Sequence, residues 1–204
     1  MRNTHLTSPA TSLAAILAVL VALTGCTKQS HQQTAHPQDK FFDHLASLCG
    51  QSFAGKLISN DEVDADFAAK KMVMEVRTCS DTVIRIPFHV DDDHSRTWVI
   101  SKTGNGLRLK HDHRHEDGSE DVLTQYGGDT GEQGTENKQA FPADDFSKQL
   151  FTREEIPVSI DNIWMVKIVP GQSYTYGLAR PNRDFRVEFD LTTKVAPPPA
   201  PWGQ

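Results

Sequence analysis

The residues with the most chemistry to offer lie in one short stretch, Leu107-Arg108-Leu109-Lys110-His111-Asp112-His113-Arg114-His115. A two-residue period puts Leu107, Leu109, His111, His113 and His115 on one face and the charged residues on the other. The leucines mark the first face as the inward one. Neighbouring imidazoles on such a face stand about 6.5–7 Å apart. His111 and His113 can therefore converge on one transition metal such as Zn, with Zn–N near 2.0–2.1 Å. His115, about 13 Å from His111, cannot join them without a bend. His89, Glu116 or Asp121 would complete such a set. A single inward histidine also suits axial ligation of haem, and the row can equally hydrogen-bond the polar head of a bound molecule. Against all three stands a plain structural role, with the rings satisfied by Asp112, Glu116, Asp117 and water.

The aromatic residues Trp98, Trp164, Tyr174 and Tyr176 are of the type that lines a ligand cavity, and equally of the type that fills a barrel core. Motifs for other chemistries are missing: no Gly-x-Ser-x-Gly elbow, phosphate loop, His-Glu-x-x-His or dinucleotide glycine fingerprint occurs. Asp91-Asp92-Asp93 lacks the glycine turn and distal glutamate of an EF-hand and reads as a hairpin tip. No catalytic residue is assigned, and the reading is binding rather than catalysis.

The elements that must position these side chains follow from periodicity. Phe41, Phe42, Leu45 and Leu48 recur at helical spacing behind Asp39, a capping residue, with Gly50 as the stop. Alternation then takes over: Met72, Met74 and Val76; Ile84, Ile86 and Phe88; Trp98 and Ile100; Trp164, Val166 and Ile168; Phe185, Val187, Phe189 and Leu191. Asp, Gly, Asn and Pro turns separate the runs, and the spacing between runs is that of hairpins. With residues 53–59 and 120–126 the count is eight to ten strands. Residues 127–138 read as a long loop, and 144–151 as a short helix. A meander of that size hides its edges by closing. The expected fold is an antiparallel up-and-down β-barrel with a short N-terminal helix; the alternative is a two-sheet sandwich.

Three cysteines are present. Cys26 ends Leu23-Thr24-Gly25-Cys26, which follows an apolar run, Leu13–Leu23, too short for a comfortable membrane span. The tetrad resembles the lipobox of bacterial lipoproteins, which implies cleavage before Cys26 and lipid on its sulfur. Several acyl chains anchor firmly where one does not. Thr27, in place of Asp, implies the outer membrane facing the periplasm by the sorting pattern of Gram-negative lipoproteins. Export leaves Cys49 and Cys79 in an oxidising compartment, where they form a disulfide or remain as two structural thiols. The expected organisation is a signal peptide at 1–25, a flexible polar tether at 26–38, one barrel domain at 39–195 and a disordered Pro-rich tail at 196–204.

The formal net charge is −6, and −7 without residues 1–25, which does not suit nucleic acid or anionic headgroups. Three stretches (45–53, 95–99 and 111–121) together resemble a group of small uncharacterised proteobacterial secreted proteins and lipoproteins, which brings no catalytic residues. The helix-then-meander layout is similar to calycin-like barrels, which implies a small apolar ligand. Three functions are therefore weighed: a lipid-anchored binding barrel for a small apolar or amphipathic ligand, a metal- or haem-binding protein using the histidine strand, and an envelope interaction module with a filled core. Only the first requires an open cavity above about 300 Å³.

Overall fold

Strict alternation along the chain builds one antiparallel sheet that curls on itself. The computed structural model describes residues 1–2 and 36–204; the apolar leader, Cys26 and the tether as far as residue 35 lie outside the described residues. Helix α1 spans Pro37–Ala46 and leads into β1 (Gln51–Leu57). A 3₁₀ turn at Glu62–Asp64 and the short α2 (Ala65–Ala68) precede β2 (Met72–Val76) and β3 (Thr78–Cys79). Three long strands follow, β4 (Val83–Val90), β5 (Asp93–Thr103) and β6 (Gly106–His113). Then come β7 (Tyr126–Asp129), β8 (Lys138–Pro142), α3 (Asp145–Arg153) and a 3₁₀ turn at Pro157–Asp161. The chain closes with β9 (Ile163–Val169), β10 (Ser173–Arg180) and β11 (Arg183–Val195).

Ten strands pair in the order β7-β6-β5-β4-β2-β1-β11-β10-β9-β8, with β3 alongside β4. Sequence neighbours are sheet neighbours nearly throughout, and β11 pairs with β1, so the meander is a nearly closed up-and-down barrel and the sandwich alternative falls. Its two end strands, β7 and β8, meet at a seam. There the Asp144 amide donates to the Gly127 carbonyl at 3.0 Å. The fully buried Ser147 hydroxyl accepts from the Gly127 amide at 2.7 Å and lies 2.8 Å from the Gly127 carbonyl. Asp144 caps α3 through the Ser147 amide and pairs with Lys110 of β6 at 2.6 Å, so one carboxylate ties helix, seam and wall together.

The inward faces are those the alternation marks. Phe53, Met74, Val76, Ile84, Ile86 and Ile100 are fully buried, as are Val166, Val187 and Phe189. Helix α1 plugs one end with Phe41, Phe42 and Leu45. It sits where β5 turns into β6: Lys102 pairs with Asp39 at 3.2 Å and lies over the Phe42 ring. The cap is not Asp39. His36 Nδ1 accepts from the Gln38 amide, and Pro37 opens the helix three residues earlier than an Asp39 cap would, because its missing N–H costs nothing at that position. The other end, where β4 turns into β5 and β10 into β11, is the mouth.

Cys49 and Cys79 are joined, with Cα atoms 6.3 Å apart, which fastens the segment after α1 to β3. Three readings need correction. Residues 127–138 are not all loop, because Tyr126–Asp129 and Lys138–Pro142 are strands whose glycine and polar residues hide the period. Residues 120–126, read as a strand, contribute only a bridge between Arg114 and Glu120 before β7 begins. The tail at 196–204 is also not disordered. Pro201 is buried, the Trp202 amide donates to the His94 carbonyl at 3.0 Å, and the indole meets the His94 ring edge-on. Proline keeps this segment extended, and the tryptophan gives it a place on the wall. The described residues 36–204 belong to one compact unit that holds every strand and the whole core.

Candidate binding cavity

The barrel is packed in its lower half and hollow near the mouth. Rings from several strands gather near the mouth around an open space, stacked on one another. A cavity of about 420 Å³ results. Trp98 from β5, Tyr126 from β7, Trp164 from β9 and Tyr176 from β10 form its aromatic wall. Trp98 stacks on Tyr176 at 4.3 Å between centroids and on Phe88 at 4.8 Å. Phe67 of α2 and Phe151 of α3, with Ile156 behind, enclose it from the helical side.

His111 lies in this wall, 5 % exposed and stacked on Tyr126 at 4.4 Å. Its hydrogen bonds fix the tautomer. The Tyr126 carbonyl, 3.0 Å from Nδ1, can only accept, so Nδ1 carries the proton. Nε2 therefore accepts from the Tyr176 hydroxyl at 2.7 Å. Both nitrogens are committed, and burial pushes the imidazole down to about 3, so the ring is neutral. His113 also faces the cavity. Burial, aided by Arg96, holds it below the ordinary histidine value.

The row ends there. β6 stops at His113, and the His115 side chain is 57 % exposed with Nε2 3.9 Å from Asp121. A turn at 115–118 redirects the chain, so His115 does not continue the inward face. Among the described residues no three His, Cys, Asp or Glu side chains come together to hold a metal ion. His89 is paired with His94 instead. Tyr174 sits beneath the cavity, fully buried between Trp98 and Phe189, with a hydroxyl that has no partner among the described residues. Of the aromatics singled out from sequence, Trp98, Trp164 and Tyr176 line the cavity and Tyr174 is core.

The rim is charged, with arginines and carboxylates interleaved. Arg96, Arg180 and Arg183 stand around the mouth with Asp64 and Asp121. Arg183 is held by Asp64 and Asp61, and Arg96 by Asp93. Sequence reasoning missed these arginines. The signal was Arg180-Pro181-Asn182-Arg183, a two-residue turn flanked by like charges that must face each other across the hairpin. Phe67 and Phe151 gave no such signal, because each reaches the cavity from a helix whose docking no local pattern encodes.

No protein-family model, curated protein or solved structure matches this chain.

Proposed function

We propose that the chain is a lipid-anchored cell-envelope protein, attached through Cys26 and facing the periplasm from the outer membrane, whose barrel mouth binds one small apolar or amphipathic molecule. The observation that carries the binding half is the ring-lined cavity of about 420 Å³ above a packed core. That volume falls in the range of small-molecule sites, roughly 300–1,000 Å³. An interaction module with a filled core has no use for such a space. The histidine row supports binding over metal or haem ligation, since His111 Nε2 is already bonded to Tyr176. The anchor half rests on Leu23-Thr24-Gly25-Cys26 and the apolar run before it.

Each half has its own test. Residues 34–204 titrated with N-phenyl-1-naphthylamine, a neutral dye that brightens in apolar surroundings, should bind it one to one. Energy transfer from tryptophan should weaken in Trp164→Phe. Unchanged dye fluorescence at a large excess of protein would sink the cavity reading. For the anchor, labelled palmitate should enter the wild-type chain and not the Cys26→Ser variant. Equal labelling of both would remove Cys26 as the attachment point.

A further inference from the structure

The rim contains one cation with no countercharge. Arg180 and Arg183 are directly opposed at the end of the β10–β11 hairpin, and like charges so placed repel. Arg183 is relieved by two carboxylates, Asp61 at 3.1 Å and Asp64 at 2.6 Å. Arg180 is not relieved. Its Nη1 donates to the amide oxygen of Asn162 at 3.0 Å, and no carboxylate lies within 4.0 Å of it among the described residues. Asn162 is itself buried, so it holds the guanidinium in place at the cavity edge without neutralising it. The Asp121 carboxylate, also at the cavity, accepts from the Leu123 amide at 2.7 Å. Two further polar groups in the wall, the His113 imidazole and the Tyr126 hydroxyl, make no side-chain hydrogen bond to any described residue.

A fixed guanidinium without a carboxylate partner, beside an aromatic-walled cavity, is a receptor for an anion on a flat hydrophobic body. Rings in the wall favour offset stacking with a planar partner. The planar fork of arginine suits a carboxylate, and a charge-assisted hydrogen bond is about twice as strong as a neutral one. We infer that the molecule bound in this cavity is an amphipathic acid, an aromatic or similarly flat apolar body bearing a single carboxylate, and that Arg180 binds that carboxylate at the mouth. The inference rests on the cavity reading proposed above and adds the head group to it.

Displacement of N-phenyl-1-naphthylamine from residues 34–204 separates the two claims. The competitors are 2-naphthoate and its methyl ester, which share the ring system and differ in charge. The acid should displace the dye at a concentration at least about tenfold lower than the ester. In Arg180→Gln that preference should collapse to within about twofold while the far-ultraviolet spectrum and urea midpoint stay near those of the wild type, and Arg180→Lys should restore part of it. The retained spectrum and midpoint show that the variant is folded. Equal potency of acid and ester on the wild type, or an unchanged preference in Arg180→Gln, would overturn the head-group assignment and leave the cavity reading standing. Failure of the dye to bind at all would overturn both.

Discussion

His111 shows how one residue can be read correctly for direction and wrongly for purpose. Its place beside Leu109 gave its inward orientation from sequence alone, because a strand's period is rigid. What the period could not reveal is that Tyr126 and Tyr176, 15 and 65 residues away, would take both ring nitrogens. A measurable property follows. The His111 imidazole is pushed down to about 3 and that of His89 to about 4, mainly by burial. Their unfolded-state values are near 6.5, so below that pH the unfolded chain binds protons the folded chain refuses. Stability is therefore full above pH 6.5 and falls as the pH drops towards 4 and 3. From pH 6.5 to 4.5, before most carboxylates titrate, His111 alone should cost roughly 2–3 kcal/mol. Urea titrations at a series of pH values should give that slope, and His111→Gln should be flatter. Equal slopes for the two proteins would contradict the burial of a neutral ring.

At the level of elements, the long strands were legible and the seam was not. β4, β5, β9 and β11 alternate openly, whereas β7 reads Tyr-Gly-Gly-Asp and carries no period. Its glycines are there for proximity. A Cβ on Gly128 would stand 1.7 Å from the Pro142 carbonyl oxygen, and one on Gly127, at φ +152°, would stand 1.9 Å from the Leu109 carbonyl oxygen. Side chains are thus excluded where the two end strands close the sheet. Helix α3 was visible through its Asp144 cap, but its partner at the seam, Ser147, was anonymous. Gly128→Ala should cost at least about 2 kcal/mol in urea unfolding. Ser147→Ala, which strands the buried Gly127 amide, should cost about 1–3 kcal/mol. Hydrogen exchange localises the damage: amides of β7 and β8 should lose protection before those of β1 and β11. Uniform loss across the sheet would mean the seam is no weaker than any other pairing.

For the molecule as a whole, the buried apolar core does most of the stabilising and one covalent link fixes the plug. The Cys49–Cys79 bond ties the chain after α1 to β3, closing a loop of 30 residues. By the chain-entropy model the bond is worth about 3–4 kcal/mol. The Cys49→Ser/Cys79→Ser double variant should lose that amount while keeping its strand content in the far ultraviolet. A loss below about 1 kcal/mol would show that α1 is held by Phe41, Phe42 and Leu45 without covalent help. Pairing of these cysteines was readable from their number and the expected compartment. The packed tail was not, because Ala196–Pro201 has no period and the His94 surface it covers exists only once β4 and β5 are assembled.

The position of α1 sets how the protein meets its surroundings. His36, the residue before α1, lies beside the β5–β6 turn, at the sealed base. The aperture is thus at the far pole from the helix that seals the base. A molecule can therefore reach the cavity without shifting the helix or opening the sheet.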